Sequence, residues 1–296
     1  MNIIAKKIFG KLKYHHLTDM LPDRIYLSLL YSYKFDKKLD WKNPVSFNEK
    51  INYLKLYDRK SAYTSMVDKY EAKSFVASIL GDGFIVPNYG VWDSFEEINF
   101  DQLPDQFVLK CTHDSGGLVI CRDKSKLDFE AAREKINKSL AQNYYYLCRE
   151  WPYKNVKPRI IAEEFLSEVA DKGVTDYKFF CFNGKPKFIY VSRGLEKHET
   201  AQISFFDMKG NKLPFVRSDY SPIDSFERPE NFDDMIGIAE KLAHASDSPF
   251  IRVDLYDINQ RTYFSELTFS PCGGYIPFSP ASADEQIGKI LDISGV

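Results

Sequence analysis

The sequence has no long apolar run, although 44 % of its 296 residues are hydrophobic. A membrane-spanning helix needs about 18 consecutive apolar residues, and no stretch of the chain reaches that length. The opening segment, MNIIAKKIFGKLKYHH, also lacks the continuous apolar core and the small-residue cleavage site of a secretory signal peptide. The sequence therefore predicts a cytoplasmic protein, with enough apolar residues for a packed core.

Cysteine is scarce and follows no metal-binding or disulfide pattern. The chain has five cysteines and no C-x-x-C pair, and most of them stand in hydrophobic runs. We therefore expect free, mostly buried thiols in a reducing compartment. The cysteines are Cys111, Cys121, Cys148, Cys181 and Cys272.

The chain also lacks an excess of charge of one sign. Lysine and arginine together number 40, aspartate and glutamate number 42, and the formal net charge is −2. A protein whose whole surface binds nucleic acid is strongly basic. The balance therefore predicts no nucleic-acid partner.

Several common site motifs are absent. The chain contains neither G-x-x-x-x-G-K-[ST] nor G-x-G-x-x-G, so the P-loop and Rossmann interpretations fail. It has no D-x-D pair, a pattern common in glycosyltransferases that use a nucleotide sugar. It also has no defensible Ser-His-Asp or Cys-His constellation, so a side-chain nucleophile is not predicted.

Positive charge is concentrated at the N-terminus. Lys6, Lys7, Lys11 and Lys13 stand among apolar residues there, as in a basic amphipathic helix that contacts anionic lipid. An ordinary helix docked on the domain explains the same pattern, and the shortness of the basic cluster favours it. A weak peripheral membrane contact, at the inner face of the membrane, is the alternative.

The hydrophobic periodicity is helical at the start of the chain and strand-like in the second half. Helices are predicted over residues 1–60, with Ile25, Leu29 and Leu30 on one helix face, and over residues 61–80. The later strands pair through hairpins with short turns. This order predicts an α+β fold with mostly antiparallel sheets rather than a doubly wound sheet.

Two acids stand inside β-like apolar runs near the C-terminus. Asp254 is flanked by Val253 and Leu255, and Glu266 lies near the end of the run TYFSEL. If the two strands pair, the acids approach each other, and carboxylates that close repel unless a cation lies between them. Magnesium is a hard cation that proteins hold through one or two carboxylates together with substrate phosphates. The pair predicts a magnesium site, with two surface acids as the alternative.

A lysine precedes a glycine-containing loop in the run KCTHDSGG. Lys110 stands on the strand, and Ser115, Gly116 and Gly117 follow in the loop. Adjacent glycines let backbone N–H groups approach a phosphate, while the hydroxyl and the ammonium add donors and charge. The loop predicts phosphate binding, with an ordinary hairpin as the alternative.

Further charged residues stand in the middle strands. Glu163 and Glu164 end the run IIAEE, and one of them should point to the core side of the sheet. Asp176 and Lys178 are two positions apart and share a strand face, where an ion pair exposed to solvent is the alternative to a site. Arg193 stands at the far end of the same predicted hairpin.

Taken in order, these segments resemble the ATP-grasp superfamily, and most of all its TupA-like branch, named for teichuronopeptide biosynthesis. The resemblance runs from NPVSFNEKINYLKLYDR to FSELTFSPCGG, which is most of the chain. It implies the ATP-grasp fold, in which two α+β subdomains grip ATP between antiparallel sheets, with an N-terminal helical extension. The implied divisions are 1–60 for the helical segment, 61–102 for a small α/β region, 103–166 for the subdomain with the phosphate loop and 167–296 for the subdomain with the magnesium site.

The resemblance also implies a role in nucleotide binding for several motifs. Glu163 would accept a hydrogen bond from the adenine amino group, and Asp176 would hold the ribose hydroxyls. The implied phosphate ligands are Lys69, Lys110, Ser115, Gly116 and Gly117. The adenine edge would be completed by the backbone of Glu164, Phe165 and Leu166.

The remaining motifs are implied to serve magnesium and the reaction. Asp254 and Glu266 would be the metal ligands. Many relatives read E-x-N at the second metal strand, whereas this chain has Thr268 in place of the asparagine, so a hydroxyl or a water must replace the amide ligand. The implied catalytic residues are Lys178, Arg193 and Arg252.

The resemblance implies an ATP- and Mg²⁺-dependent ligase that joins a carboxylate to an amine through an acylphosphate. The TupA-like branch implies a uronic-acid-containing cell-surface polysaccharide, or its precursor, as the carboxylate, and an amino acid or peptide as the amine. Two alternatives stay open from the sequence. One is a glycosyltransferase of capsule or O-antigen biosynthesis, and the other is an ATP-binding scaffold without turnover.

Overall fold

The structure is a computed structural model that describes residues 1–166, 175–194 and 200–296. The described helices are α1 (Ile3–Tyr14), α2 (Asp23–Phe35), α3 (Phe47–Tyr57), α4 (Ala62–Val67), α5 (Glu71–Leu80), α6 (Phe129–Leu140), α7 (Tyr145–Cys148), α8 (Phe232–Ala245) and α9 (Ser282–Gly288). The described strands are β1 (Asn88–Trp92), β2 (Phe107–Cys111), β3 (Leu118–Cys121), β4 (Ile160–Glu164), β5 (Asp176–Phe182), β6 (Lys185–Arg193), β7 (Gln202–Asp207), β8 (Val216–Arg217), β9 (Phe250–Ile258), β10 (Arg261–Thr268) and β11 (Phe278–Ser279).

The strands form two main sheets, and every ladder between the described strands is antiparallel. The first sheet has the order β1-β4-β2-β3, and the second has the order β10-β9-β5-β6-β7. A short third sheet pairs β8 with β11. The predicted α+β class with antiparallel sheets is confirmed.

Helix α2 covers the predicted segment but buries a different face. Ile25, which the sequence places on one helix face with Leu29 and Leu30, is 51 % exposed, so that face is not the buried one. Aromatic side chains supply much of the apolar surface, because α2 packs against Phe9 and Tyr275. The buried residues of α2 are Tyr26, Leu27, Leu30 and Tyr31.

The single helix predicted over residues 61–80 is divided into α4 and α5. The Asp68 carboxylate accepts the N–H groups of Tyr70 (2.8 Å) and Glu71 (3.2 Å) at the start of α5. The Lys69 N–H donates to the carbonyl of Thr112 (3.0 Å) instead of to a helical partner. The break therefore ties Lys69 to the loop that follows β2.

The second sheet is covered differently on its two faces. Strand residues alternate between faces, and Phe179 of β5 packs with Phe232 of α8 on one of them. On the other face, Phe180 and Phe182 pack with Phe47 of α3. Helix α3 packs on this part of the face, and the beginning of β5 carries the buried residues Asp176 and Lys178 on the same face.

Helix α1 is docked on the body of the protein, as the sequence favours. Its buried residue is Phe9, whose ring lies 6.1 Å from that of Tyr26 and 5.6 Å from that of Tyr33 between centroids. The Lys6 ammonium contacts the Asp36 carboxylate at 2.6 Å. Among the described helices, none is long and apolar enough to cross a membrane.

Candidate functional site

A cavity of about 160 Å³ is lined by residues of both main sheets and of the loop between β2 and β3. Lys69 and Lys110 both face it, although they come from separate elements. Glu266 faces it from the second sheet. The residues predicted as site residues that line this cavity are Lys69, Lys110, Ser115, Gly116, Gly117, Glu163 and Glu266. We refer to it as the phosphate cavity.

Glu163 holds Lys110 in position from β4. Its carboxylate contacts the ammonium of Lys110 at 2.5 Å and that of Lys73 at 2.6 Å. Burial alone raises the pKa of the Glu163 carboxyl, but the two ammonium groups overcome this effect and hold its pKa below the ordinary value. Because both carboxylate oxygens have a cationic partner, the geometry favours a positioning role for Glu163 over the implied bond to the adenine amino group.

The ammonium of Lys69 lies over the loop between β2 and β3. It donates to the carbonyl of Asp114, while the Lys69 backbone is held by Thr112. Both ends of this residue are therefore fixed on the loop. The break between α4 and α5 thus places a second positive charge on the phosphate cavity beside Lys110.

The loop is organised by the carboxylate of Asp114. It accepts the N–H of Gly117 at 3.1 Å and the hydroxyl of Ser139. A Cβ atom on Gly117 would lie 2.3 Å from Ser139 Oγ, so only glycine fits there. Gly116, at φ +146, has open space around it. The Gly117 N–H is thus used inside the protein, and Ser115 and Gly116 are the loop residues left to contact a phosphate.

The two predicted metal acids lie opposite each other. Glu266 of β10 is the direct partner of Asp254 of β9. The Arg252 guanidinium bridges them, with Nη2 at 2.6 Å from Asp254 Oδ2 and 2.7 Å from Glu266 Oε1. The structure therefore brings the acids together, with an arginine cation between them.

Lys178 joins the same cluster from β5. Its ammonium contacts Asp254 Oδ2 at 2.7 Å and also pairs with Asp176. Both Asp176 and Lys178 are buried, so an ion pair on a solvent-exposed face does not describe them. The second oxygen of Asp176, Oδ1, is buried and has no hydrogen-bond partner among the described residues.

The pKa values of the two acids, Asp254 and Glu266, are shifted in opposite directions. Burial raises the pKa of the Asp254 carboxyl to about 6, although the charges of Arg252 and Lys178 oppose the shift. At Glu266 burial also acts to raise the pKa, but Arg252, Lys178 and Lys69 overcome it and lower the pKa to about 2. Glu266 therefore stays ionised at neutral pH, facing the phosphate cavity.

Of the two acids, Glu266 is the one with access to a magnesium ion shared with substrate phosphates, because both Asp254 oxygens are bonded to Arg252 or Lys178. The Glu266 side chain is 35 % exposed, whereas Asp254 is fully buried behind Arg252. The hydroxyl of Thr268 accepts from Arg252 Nη2 at 3.0 Å, on the protein side of the pair. Within the described ranges, no group of three or more His, Cys, Asp or Glu side chains is placed to hold a metal alone. Magnesium needs only one or two carboxylates when phosphates supply the other ligands.

Arg193 is not brought to the cluster. It follows Ser192, which pairs with Asp176 across β5 and β6. Because side chains alternate along a strand, the Arg193 side chain leaves the sheet on the face opposite to Asp176, which is the face of Tyr177. The charge of Arg193 accordingly acts to lower the pKa of Tyr177, although burial raises that pKa overall. The geometry does not support the implied contact between Arg193 and a phosphate.

The predicted adenine edge lies at the end of β4. Glu164 is exposed, and its N–H donates to the carbonyl of Pro87 at 3.0 Å, so this donor is already used. The guanidinium of Arg122 lies 5.5 Å from the ring centre of Phe165. Leu166 is half-buried and is the last described residue before the gap. An adenine edge here depends on the backbone of Phe165 and Leu166.

Several residues of the site were not predicted. Tyr256 and Ser265 line the phosphate cavity. Tyr256 stands two positions after Asp254, so strand alternation was a sufficient signal for it. Lys73 carries no such signal, because its contact with Glu163 joins distant parts of the chain.

The two antiparallel sheets border one cavity that is lined by Lys69, Lys110 and Glu266, as expected for the ATP-grasp fold. The family model described as TupA-like ATP-grasp matches residues 49–292. The chain belongs to this family. The resemblance inferred from the sequence motifs is thereby confirmed.

Several solved ATP-grasp ligases are similar in structure. D-alanine–D-alanine ligase from Helicobacter pylori is 16 % identical, with 83 % of this chain and 69 % of that chain covered and a TM-score of 0.48. The corresponding ligase from Bacillus anthracis, complexed with ATP, is 17 % identical, with coverages of 69 % and 54 % and a TM-score of 0.39. L-amino acid ligase from Bacillus licheniformis is 12 % identical, with coverages of 74 % and 47 % and a TM-score of 0.41. The chain thus spans between 47 % and 69 % of their lengths. No curated protein matches the chain.

Proposed function

We propose that this protein is an ATP-dependent ligase that joins a carboxylate to an amine and releases ADP and phosphate. The observation that carries the proposal is the convergence of Lys69, Lys110 and Glu266 on one cavity between two sheets. Two ammonium groups at short range suit the charge of a triphosphate. Membership in the TupA-like ATP-grasp family supports the same activity.

The proposed contacts with the nucleotide use the residues that line the phosphate cavity and the strands beside it. Lys69 and Lys110 bind the phosphates, together with Ser115 and Gly116. Asp176 Oδ1 is a buried acceptor without a described partner, which suits a ribose hydroxyl. Glu163 acts through Lys110, and the backbone after β4 offers the adenine edge.

Glu266 and Asp254 are the residues that would hold magnesium, with Glu266 open to the cavity and Asp254 behind Arg252. A bound Mg²⁺ ion neutralises charge on the phosphoryl oxygens and helps to orient them. Thr268 serves this site by holding Arg252 rather than by replacing an amide ligand.

The chemistry requires charge neutralisation and positioning rather than a side-chain nucleophile. A substrate carboxylate oxygen attacks the γ-phosphorus, the bond to ADP breaks, and an acylphosphate forms. The neutral amine nitrogen then attacks the acyl carbon, the bond to phosphate breaks, the nitrogen loses one proton to the released phosphate, and an amide forms. Arg252 and Lys178 provide fixed positive charge beside this transfer, and such preorganised charge stabilises the transition state strongly.

The proposed substrates are a uronic acid of a cell-surface polysaccharide or its precursor, and an amino acid or peptide. This choice rests on the TupA-like family and on the need for a carboxylate and an amine. A cytoplasmic location is part of this proposal, because the reaction consumes ATP.

The test is a screen of uronic acids and amino acids for release of ADP from Mg-ATP. We expect ADP release that requires a carboxylate and rises when an amine is added, and an amide product of the combined mass. Binding of ATP with no ADP release for any pair would instead indicate an ATP-binding scaffold. Transfer of a sugar from a nucleotide sugar would indicate a glycosyltransferase.

A further inference from the structure

Glu150 is a buried acid that the proposed reaction leaves unused. It lies between α7 and the short 3-10 helix Trp151–Asn155, and it is 4 % exposed. Within the described part of the chain, its carboxylate makes no hydrogen bond and no ion pair, and only longer-range charges act on it. A buried carboxylate without a partner is unfavourable in its ionised form, and either protonation or a cationic ligand relieves this. We therefore expect the Glu150 carboxylate to bind a ligand.

The position of Glu150 is fixed by its neighbours rather than by its own bonds. Arg149 is fully buried, and its guanidinium donates to the carbonyl of Thr18 at 3.0 Å. The ammonium of Lys55 donates to the carbonyls of Cys148 (2.8 Å) and Gly273 (2.6 Å). These bonds tie the segment before Glu150 to the loop after β10, and hence to the end of the strand that carries Glu266.

Glu150 lies outside the phosphate cavity, and the bonds of Lys55 hold its segment against the loop that follows β10. Its charge interacts with those of Arg252 and Glu266, and also with that of Lys55. Burial raises the pKa of Glu150 to about 7, because Lys55 and Arg252 offset only part of the lost hydration.

The charges around Glu150 select the ligand. Arg252 directs Nε and Nη2 to Asp254, Glu266 and Thr268, and it makes no ion pair with Glu150 among the described residues. A carboxylate or phosphate placed against Glu150 would be repelled by both glutamates. A cation would neutralise the buried carboxylate of Glu150. It would also lie near Arg252 and Glu266, which the proposed reaction places at the acylphosphate.

We propose that Glu150 binds the amino group of the second substrate, as an ammonium, next to Arg252 and Glu266. The identity of the ligand as a substrate rests on the proposed ligase function. Binding of an ammonium ion to Glu150 can be measured without turnover. Glu150 is then the residue that selects an amine over an alcohol or a water molecule.

The first test uses methylammonium chloride as the probe, with sodium chloride at the same ionic strength as the reference. Methylammonium should raise the Tm of the wild-type protein by about 2 °C. Glu150→Gln should remove this response, whereas the exposed Glu134→Gln should keep it. An equal response of wild type and Glu150→Gln, or no response in either, would overturn the proposal.

A second measurement separates ligand binding from a structural role. Removal of an unpaired buried charge should leave the Tm of Glu150→Gln equal to or above that of wild type. In the ADP-release assay, the KM for the amino acid should rise by at least about tenfold, while the KM for ATP stays unchanged. A lower Tm with parallel losses for ATP and amine would show that Glu150 is structural. Absence of ADP release from the wild type would count against the ligase function, not against the methylammonium site.

A second, independent observation concerns the outer face of α1. Ile4, Ile8 and Leu12 follow one another at the spacing of one helix face, and they are 71 %, 55 % and 39 % exposed. Lys7 and Lys11 are also exposed beside this ridge, and neither makes an ion pair with a described residue. The family match begins at residue 49, so the ridge lies outside it.

We infer that the ridge rests on an anionic lipid surface. An apolar helix face flanked by lysines binds such a surface through both burial and charge attraction. Charge complementarity decides the occupant, because the free ammonium groups of Lys7 and Lys11 suit lipid phosphates better than a second copy of the same basic ridge.

The test is sedimentation of the full chain with vesicles of phosphatidylcholine alone or mixed with phosphatidylglycerol. Wild type should sediment with the mixed vesicles only. The double variants Ile4→Gln/Ile8→Gln and Lys7→Glu/Lys11→Glu should each lose most of the binding, whereas Ile25→Gln, which changes an exposed residue of α2, should retain it. Binding to neither vesicle, equal binding to both, or a concentration-dependent dimer abolished by the same variants would contradict the inference.

Discussion

One face of the second sheet is aromatic at one end and charged at the other. On β5, Phe180 and Phe182 lie under α3, with ring centroids 6.2 Å and 6.0 Å from that of Phe47. Lys178, two positions before Phe180 on the same face, pairs with Asp254 instead. The face changes its chemistry where α3 stops covering the sheet, and the candidate site begins there.

The two ends of this face are stabilised in different ways. The aromatic end gains from burial of apolar area, so the loss of part of one ring removes part of that gain. At the charged end each buried group depends on the others, and removal of one partner leaves an uncompensated charge. Substitutions at the aromatic end should therefore change stability alone, whereas those at the charged end should change stability and nucleotide chemistry together.

Lys178→Met tests the charged end and should have the largest effect. Asp254 and Asp176 both lose a cationic partner, so we expect a loss of about 3 kcal/mol in the free energy of unfolding. ADP release should also be abolished. Urea unfolding and the ADP assay measure the two effects. Lys187→Met, at an exposed position of β6, is the control, and a change of only ~0.5 kcal/mol in both variants would contradict the account.

Phe180→Leu tests the aromatic end. The smaller side chain should lower the free energy of unfolding by about 1.5 kcal/mol, because contacts with Phe47 and its neighbours are lost. The Kd for ATP, measured by calorimetry at a temperature where the variant is folded, should not change. A loss of ATP affinity without a loss of stability would show that the two ends are not separable.

The pH dependence of stability tests the ion pairs of the phosphate cavity. The pKa of Glu163 is held below its ordinary value of 4.5, so its contribution is complete above pH 4.5 and is lost as the pH falls through the lower folded-state pKa. Glu163→Gln should therefore be less stable than wild type by about 1.5 kcal/mol at neutral pH. The difference should shrink as the medium is acidified below pH 4.5. Urea unfolding across this range measures it, and a constant difference would contradict the assignment.

The sequence was sufficient for features that depend on local pattern or on an ordered set of motifs. Strand alternation placed Asp176 and Lys178 on one face, and the hairpin signals placed Asp254 and Glu266 on neighbouring strands. The order of the motifs along the chain pointed to the family. These features need no knowledge of how distant segments pack.

The sequence was insufficient where the orientation or the partner of a single side chain decides the role of a residue. Glu163 matched an adenine-binding motif, but its partner Lys73 comes from α5 and occupies the carboxylate. Gly117 matched a phosphate loop, but the side chain of Asp114 uses its N–H. Arg193 matched a phosphate-facing position of the family, but strand alternation directs its side chain to the face of Tyr177. For Glu163 and Gly117 the backbone prediction held, and contacts with other side chains changed the chemistry of the carboxylate and of the N–H.

The most direct test of the central claim is Glu266→Gln. The change keeps the shape of the side chain and removes the charge that faces Lys69 and Lys110 across the phosphate cavity. Thermal unfolding with and without Mg-ATP should show a folded protein that still binds the nucleotide. ADP release with a working substrate pair should fall by at least about 100-fold, while the exposed Glu134→Gln remains as active as wild type. A Glu266→Gln protein as active as the wild type would contradict the claim that both sheets contribute to one phosphate-transfer site.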